Sequence, residues 1–270
     1  MPTYYAVIGG SRGVGLEIVR QLAANPNNTV YVTARNVEKS VHLAKVVQDA
    51  PAQNVVPLQV DVVDHRSLKA AAEQVAQATG GALDVLIHNA AKMDYANGNQ
   101  FRSLTEYDSM DALDAEFIEA FKVNTLGAIH SIDAFLPLLR KGSTKKIIII
   151  STGGGERNIV WQARLNMTAA YGVTKCAENM VMTKYAAELV DEGFVVAAIS
   201  PGVVDVTGTN PSPPSAEELA DLKRITDKIV KNIPNYGDNP LTPEQSVKKV
   251  LGIVHSLGPQ DTATFHSVRG

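Results

Sequence analysis

The architecture of this 270-residue chain follows from the segment Tyr4-Tyr5-Ala6-Val7-Ile8-Gly9-Gly10-Ser11-Arg12-Gly13-Val14-Gly15, an apolar run followed directly by a glycine-rich turn. The apolar run predicts a strand, and the residues beyond the turn have helical periodicity. In such a strand-turn-helix unit, backbone N–H groups and the positive helix end can hold a pyrophosphate. Glycine is needed because a side chain would block the approach of the phosphates. The predicted phosphate-binding residues are Gly9, Ser11, Gly13, Val14 and Gly15.

Short apolar segments rich in branched side chains recur along the chain and alternate with segments of helical periodicity. This alternation predicts an α/β chain with a Rossmann-type, doubly wound parallel sheet and helices on both faces. The length suits a single nucleotide-binding domain over residues 1–270. The predicted strands are Tyr4–Ile8, Val30–Thr33, Val55–Val60, Leu83–His88, Lys146–Ser151, Val195–Ser200 and Ala263–His266.

Two longer segments carry further structural predictions. A long amphipathic helix is expected over Asp111–Leu139, because apolar residues recur there at steps of four. Residues 207–241 are rich in proline near their start and are long for a loop in a compact domain, as is typical of a lid over a binding site. A helix over Glu217–Val230 is expected inside this substrate lid.

Composition excludes several classes of function. The net charge of -3 and a pI near 6.1, with scattered Lys and Arg, give no basic stripe for nucleic acid or for an anionic membrane. Cys176 is the only cysteine, which excludes an intrachain disulfide and a cysteine-rich zinc site, and the six histidines show no metal-binding spacing. The longest aliphatic run, Ile147–Ile150, is far too short to span a bilayer. We therefore expect a cytoplasmic protein without a metal.

Arg35 stands about 20 residues beyond the glycine turn, where dinucleotide-binding folds select the ribose. An arginine there, with no Asp or Glu at the end of the second strand, suits a 2'-phosphate. Arg12, inside the turn, is a second candidate ligand for the same phosphate. The alternative is that both are solvated surface arginines. The pattern favours NADP(H) over NAD(H).

Tyr171 and Lys175 lie four residues apart in a predicted helix and therefore share one face. A free phenol has a pKa of about 10, and a nearby positive charge favours the phenolate. Lowering that pKa toward neutrality requires about 4 kcal/mol, which a close ammonium and an oxidised nicotinamide could supply. The pair predicts a tyrosine that acts as acid and base.

Further motifs follow in a fixed order along the chain: Gly9-x-x-x-Gly13-x-Gly15, Asp61-Val62, Asn89-Ala90-Ala91, Asn124, Tyr171-x-x-x-Lys175 and Pro201-Gly202 with Val204 after it. In this order the motifs resemble the short-chain dehydrogenase/reductase family, in its standard-length branch, over nearly the whole chain. The arrangement of the motifs, together with the asparagine-rich segment Asn25-Pro26-Asn27-Asn28, looks most similar to small carbonyl reductases of the sniffer and C-factor type.

The resemblance implies a reaction and a role for each matching residue. Hydride passes between the nicotinamide and the carbon of a ketone or aldehyde, or the corresponding alcohol, while Tyr171 donates or accepts the proton. Lys175 binds the nicotinamide ribose and tunes Tyr171, and Asn124 maintains a water chain to Lys175. Family members pair through the long helices carrying Asn124 and Tyr171, which implies a homodimer or homotetramer. The implied cofactor-binding residues also include Asp61, Val62, Asn89, Ala90, Pro201, Gly202 and Val204; Asp61 alternatively only starts a turn, and Asn89 alternatively stabilises the sheet.

Three departures from the family pattern leave alternatives open. Ile8 replaces a threonine before the first glycine, which removes a local hydrogen bond. Thr152 stands where the family has its catalytic serine, so that Thr152 and Ser151 both remain candidates for orienting the carbonyl. Val206 replaces a threonine after Pro201-Gly202, and Thr207 is the expected substitute. The segment before Tyr171 is also long and contains Trp161, either a wall of the substrate pocket or part of a surface loop.

Other function classes fit less well. The turn also matches the Gly-x-Ser-x-Gly elbow of hydrolases around Ser11, with Asp205 and His255 in order, but only eight residues precede Gly9 and the expected oxyanion loop has no place there. A non-catalytic NADP(H)-binding sensor or scaffold needs neither Tyr171 nor Lys175. Dehydration or isomerisation at the same site stays open.

Overall fold

The computed structural model describes residues 2–93, 101–210, 215–233 and 239–269, and within them one parallel sheet of seven strands forms the centre. The order across the sheet is β3-β2-β1-β4-β5-β6-β7. Each strand pairs in parallel with its neighbours, so the carboxyl ends share one edge. The strands are β1 (Thr3–Ile8), β2 (Asn28–Ala34), β3 (Val55–Gln59), β4 (Val85–His88), β5 (Lys146–Ile150), β6 (Val195–Ser200) and β7 (Phe265–Ser267).

Helices cover both faces of the sheet. Side chains alternate between two apolar cores: Val7, for example, belongs to one, while Ala6 and Ile8 belong to the other. This alternation confirms the predicted doubly wound fold, in which strands are buried on both faces. The helices are α1 (Gly13–Ala23), α2 (Val41–Asp49), α3 (His65–Thr79), α4 (Met110–Ala120), α5 (Gly127–Leu139), α6 (Arg157–Ala163), α7 (Ala169–Leu189), α8 (Ala216–Asn232) and α9 (Pro243–Ser256).

The predicted long helix over Asp111–Leu139 is interrupted. Between α4 and α5, Phe121–Leu126 form a π-helical segment, a rare local widening that occurs most often at functional sites. The π-helical segment joins α4 and α5 without a break, so the apolar periodicity of the sequence continues through it and does not reveal the interruption. The segment between Thr152 and Tyr171, which sequence patterns leave irregular, contains the short helix α6.

The helix expected over Glu217–Val230 forms, with slightly wider bounds, as α8; its role in a lid stays a prediction. Ser215 and Glu218 make a capping box that fixes the start of α8, since each side chain bonds the other residue's backbone N–H. Parts of the predicted lid, residues 211–214 and 234–238, lie outside the described residues. In the part of the chain that is described, no helix combines the length and the hydropathy needed to cross a membrane.

The order in which successive strands are added across the sheet reverses between β1 and β4, although all the strands run parallel. Strands β2 and β3 lie to one side of β1, and β4 to β7 lie to the other. In open α/β sheets of this kind, ligands bind in the crevice at the carboxyl ends of the strands beside the reversal. The glycine turn after β1 and Asn89 after β4 both lie at this edge.

Candidate active site

The glycine turn closes tightly against the end of β4. Gly9 has a φ of +85°, and a Cβ on it would lie 2.7 Å from the Cα of Ala90. A Cβ on Gly15 would lie 2.2 Å from the Gly9 carbonyl oxygen and 2.4 Å from Nδ2 of Asn89. That same Nδ2 donates to the Gly9 carbonyl at 2.6 Å. Asn89 therefore holds the turn to the sheet, which was the structural alternative for this residue.

Thr33, on β2, supplies a hydroxyl that the sequence pattern did not indicate. Its Oγ1 accepts the N–H of Gly9 at 2.9 Å, and its carbonyl accepts the N–H of Gly10 at 3.0 Å. Two hydrogen bonds from the neighbouring strand therefore brace the turn that follows Ile8. The side chain is buried, as a turn-bracing hydroxyl requires.

A cavity of about 310 Å³ opens above this turn. It extends from Gly13, at the start of α1, to Asp61, which follows β3, and it reaches Lys92 in the segment after β4. Thr33, Lys92, Glu119 and Asn210 line it although the sequence patterns did not single them out. The predicted cofactor-binding residues that line it are Gly9, Ser11, Arg12, Gly13, Val14, Arg35, Asp61, Val62, Asn89 and Ala90.

Arg12 and Arg35 are both exposed at the rim of this cavity. Arg35 follows the last residue of β2, and Arg12 precedes the first turn of α1. Among the described residues, neither guanidinium makes an ion pair. Two cations that face one cavity without a carboxylate partner form a suitable donor set for a phosphate. Asp61 accepts the N–H of Val63 at 3.2 Å, so it starts a turn while it also lines the cavity.

Other predicted cofactor residues lie outside this cavity. Thr207 donates its hydroxyl to Asp205 Oδ1 at 2.6 Å, and Val204 forms an isolated β-bridge with Leu241. The carbonyl of Pro201 accepts from Ser246 at 2.8 Å, and Gly202 has a φ of +77° that glycine adopts readily.

The segment after β6 contacts the glycine turn near its start. Thr209, in a short 3-10 turn, accepts the N–H of Gly13 through its hydroxyl at 2.8 Å. A Cβ on Gly13 would meet Val206 at 3.4 Å. At the far end of α8, Asn232 donates to the carbonyl of Ala163 at 3.1 Å. The described residues of the segment 207–241 thus contact both the glycine turn and α6, and their role as a lid stays a prediction.

Tyr171 and Lys175 lie on α7, as predicted, with Tyr171 half-buried. Lys175 is 1% exposed and its ammonium donates to the carbonyl of Ile150, the last residue of β5, at 2.8 Å. The ammonium therefore sits at the carboxyl edge of the sheet, one helical turn along α7 from the tyrosine. Sequence patterns did not single out its second partner, Glu178, which forms a close ion pair with it.

The two candidate hydroxyls after β5 differ in their surroundings. Ser151 is 2% exposed, and its Oγ donates to Oδ1 of Asn179 at 2.6 Å. Thr152 is half-buried, and its Oγ1 accepts the N–H of Gly154 at 3.1 Å. The Thr152 hydroxyl keeps its proton for another acceptor, whereas the Ser151 proton is already committed.

Asn124 is fully buried in the π-helical segment, and its amide is committed to protein partners. Its Oδ1 accepts the N–H of Lys92 at 2.6 Å, while its Nδ2 donates to the Lys92 carbonyl at 3.3 Å and to Oγ1 of Thr174 at 2.9 Å. The side chain therefore joins the segment after β4 to α7, beside Tyr171. The water-relay role implied by the resemblance stays a prediction.

A larger and mostly apolar cavity of about 700 Å³ lies along α6 and the outer side of α7. Trp161 lines it, is 68% exposed and carries the Arg164 guanidinium 3.8 Å above its ring. Cys176 also lines it. Neither Tyr171 nor Thr152 borders this cavity, so size alone does not mark the reaction site, and Trp161 as a substrate wall stays a prediction. In the described residues no group of three or more His, Cys, Asp or Glu could hold a metal.

The sequence profile of the family described as short chain dehydrogenase matches residues 4–217. The chain belongs to the short-chain dehydrogenase/reductase family. A relative named short-chain dehydrogenase/reductase atnB, from Arthrinium sp, is 36% identical over 256 residues, 94% of this chain and 92% of the relative. This membership makes the protein an oxidoreductase by family.

Two solved structures with the same fold illustrate the likeness. An NADPH-bound carbonyl reductase from chicken fatty liver superposes with a TM-score of 0.75 at 24% identity, covering 100% of this chain and 93% of that one. The carbonyl reductase Sniffer of D. melanogaster gives 0.76 at 20% identity, with 100% and 98% covered. The shared fold, a parallel sheet flanked by helices, agrees with the family assignment.

Proposed function

We propose that this protein is an NADP(H)-dependent carbonyl reductase that reduces a ketone or aldehyde, or oxidises the corresponding alcohol. The observation that carries the proposal is the position of Lys175. Its buried ammonium lies at the carboxyl end of β5, one turn of α7 from Tyr171, at the edge where the glycine turn opens a cavity. An acid/base side chain with a fixed cation beside a nucleotide site is what hydride transfer to a carbonyl requires.

The residues around the smaller cavity fit a dinucleotide phosphate. Side chains at Gly9 or Gly15 would fill the cradle, and the first turn of α1 directs N–H groups toward it. Arg12 and Arg35 would hold the 2'-phosphate of NADP(H) at the far end. The carbonyl reductase from chicken fatty liver binds NADPH, which supports the same choice here.

The chemistry divides between the cofactor and the side chains of α7. A bound reduced nicotinamide supplies the hydride that adds to the carbonyl carbon. Tyr171 gives its phenol proton to the carbonyl oxygen, so that the product is an alcohol, and the phenolate then regains a proton from solvent. Lys175 stabilises the phenolate and binds the nicotinamide ribose. In the reverse direction the phenolate takes the alcohol proton.

Thr152 is the hydroxyl we assign to the carbonyl oxygen. Its proton is available, while that of Ser151 is donated to Asn179 at 2.6 Å. Asn124 keeps the segment after β4 in register with α7 through its three hydrogen bonds. Thr207 would contact the carboxamide of a bound nicotinamide once its hydroxyl turned away from Asp205, and the described parts of the segment 207–241 would cover the substrate.

Oligomerisation and location belong to the same proposal. Phe121, Leu126 and Met180 are exposed apolar side chains on the helices that carry Asn124 and Tyr171. They line one groove between these helices. We therefore expect a homodimer or homotetramer formed through this face, and a cytoplasmic location where NADPH is available.

The test is oxidation of NADPH and NADH, followed by absorbance, across aromatic ketones, quinones, aliphatic aldehydes and steroid-like ketones. The native protein is compared with Tyr171→Phe and with Tyr5→Phe, a buried tyrosine on β1 away from the site. Turnover that is lost in Tyr171→Phe and retained in Tyr5→Phe is the expected result. Tight NADPH binding without turnover on any carbonyl contradicts the proposal and favours a sensor or scaffold.

A further inference from the structure

A buried carboxylate lies directly behind the ammonium of Lys175. Glu178 is on α7, three residues further along, and is 0% exposed. Its Oε2 forms a close ion pair with Nζ of Lys175. The lysine is itself 1% exposed and has the Ile150 carbonyl as its other partner. Burying a carboxylate costs far more than leaving it in water unless a cation accompanies it, so this pair is a built feature of the site.

His88, the last residue of β4, completes the buried group without adding charge. Its Nε2 lies 3.6 Å from Oε1 of Glu178, beyond hydrogen-bonding distance. Burial, together with the charge of Lys175, lowers the pKa of His88 to about 3, so the imidazole is neutral at working pH. Lys175 and Glu178 are therefore the counter-charges of each other.

No other titratable group acts on Glu178 in the described part of the chain. Burial raises the pKa of the Glu178 carboxyl to about 7, and Lys175 alone opposes this. Strand β6 and the turn Gly153–Gly155 carry no ionisable side chain. The charged groups on the other elements packed against α7 have partners of their own or are exposed. Those with partners are Asp133 of α5 with Tyr185, His130 with the Val62 carbonyl, Glu116 of α4 with Tyr107, and Glu156 with the amide of Asn179. The exposed ones are Asp111, Asp114, Glu119, Lys122, Asp191 and Glu192.

On the basis of the proposed function, we infer that Glu178 is a positioning residue that cancels much of the Lys175 charge at Tyr171, and so keeps the phenol, the acid of carbonyl reduction, protonated to higher pH. A lone ammonium near a phenol stabilises the phenolate, whereas an ammonium with a carboxylate in contact acts as a weak dipole at that distance. A protonated Tyr171 is the acid that reduction needs, and an ionised Tyr171 is the base that oxidation needs.

The ionisation of Glu178 suits this role. A carboxyl with a pKa of about 7 is ionised in the alkaline range where a phenol titrates. The compensating charge is therefore present wherever Tyr171 would otherwise lose its proton. The same ion pair also holds the ammonium back against β5, which fixes the position from which Lys175 acts on Tyr171.

The experiment measures the proton on Tyr171 directly, in the cofactor-free protein. Phenolate absorbance is recorded against pH for each protein and for the same protein carrying Tyr171→Phe, and the difference reports Tyr171. The proteins are the native chain, Glu178→Gln, Glu178→Asp and the exposed control Glu73→Gln. We expect the midpoint for Tyr171 to fall by about one pH unit in Glu178→Gln and to stay near the native value in the other two.

A kinetic readout accompanies the titration. In Glu178→Gln the acid limb of alcohol oxidation moves to lower pH by the same amount, so kcat/KM for oxidation at a pH below the native limb rises by up to about tenfold. A residue that only stabilised α7 would lower both directions together and leave the limb in place. An unchanged Tyr171 midpoint in folded Glu178→Gln overturns the inference.

Two further outcomes keep the inference separate from the proposed function. If no carbonyl is turned over, the proposed function fails, while the phenolate titration still decides whether Glu178 controls Tyr171. If Glu178→Gln does not fold, the native protein decides: its cofactor-free Tyr171 must titrate within about one unit of 10, the value of a free phenol. A native midpoint near 7 or 8 overturns the inference.

Discussion

Ser151 donates its hydroxyl proton to Oδ1 of Asn179 at 2.6 Å, and this bond separates two adjacent hydroxyls into two roles. Ser151 serves the packing of α7 against β5. Thr152, the next residue, projects from the strand end with its proton uncommitted. Sequence patterns could not choose between them, because the partner that occupies Ser151 lies 28 residues away along the chain.

Thr152→Val should therefore lower kcat by about 100-fold, the usual effect of removing one donor to a reacting oxygen. Thr152→Ser keeps the hydroxyl and should retain most of the activity. Ser151→Ala should leave kcat within a few-fold but lower the free energy of unfolding by about 1–3 kcal/mol, because Asn179 Oδ1 loses its donor. Steady-state kinetics and urea denaturation of the three variants test this, and a larger kcat loss in Ser151→Ala than in Thr152→Val reverses the assignment.

Arg35→Ala should reduce the preference for NADPH over NADH by about tenfold or more, since a charge-assisted bond to a phosphate is worth about 1.5–3 kcal/mol. Arg12→Ala should act in the same direction. The ratio of kcat/KM values for the two cofactors measures the preference, and Arg66→Ala, an exposed arginine on α3, is the matched control. Equal ratios in all four proteins would mean that neither arginine contacts the 2'-phosphate.

Asn124→Ala should lower the free energy of unfolding by about 2 kcal/mol, because it removes the two hydrogen bonds that Asn124 makes with the Lys92 backbone and the one that it donates to Thr174. The affinity for NADPH should fall as well, since Lys92 lines the cofactor cavity. Asn124→Asp keeps an acceptor for the Lys92 N–H and should show a smaller loss. Urea denaturation and fluorescence titration with NADPH measure the two effects; unchanged stability in Asn124→Ala would remove Asn124 from this clamp.

The fold could be predicted because each strand is marked by local composition and each helix by its period. The apolar runs around Val7 and around Ile148 indicate buried strands from local composition alone, and in the structure their neighbouring side chains pack into the two cores on opposite faces of the sheet. The glycine turn is equally local. Strand ends differed by a residue or two, since neighbouring strands and not local propensity determine where pairing stops.

The interior of the site could not be predicted, because its contacts join distant segments. Thr33 braces Gly9 from 24 residues away, and Asn124 reaches Lys92 from 32. The π-helical segment has the same apolar period as a regular helix. For Glu178 the sequence does contain one indication, an acidic residue three positions after Lys175 and so on the same face of the helix. His88, which lies opposite Glu178, comes from the distant strand β4 and has no such local indication.

The buried pair His88 and Glu178 should give opposite contributions to the pH dependence of stability. The His88 pKa falls from 6.5 to about 3 on folding, because burial and Lys175 disfavour its charged form. The folded state then binds fewer protons than the unfolded state between pH 3 and 6.5, so His88 lowers the free energy of unfolding as the pH falls through that window. The Glu178 pKa rises from 4.5 to about 7, so Glu178 raises the free energy of unfolding as the pH falls from 7 to 4.5.

Between pH 4.5 and 6.5 the two effects oppose each other in the native protein, and single variants should separate them. In Glu178→Gln the free energy of unfolding should fall with decreasing pH by up to about 1.4 kcal/mol per pH unit relative to native. In His88→Gln it should rise with decreasing pH by a similar amount. Urea denaturation at pH 7, 6 and 5 measures these slopes, with His42→Gln on α2 as the control. The slope of the free energy of unfolding against pH reports the difference in bound protons between the unfolded and folded states. Equal slopes in the native protein, Glu178→Gln and His88→Gln would therefore mean that neither group changes its protonation on folding.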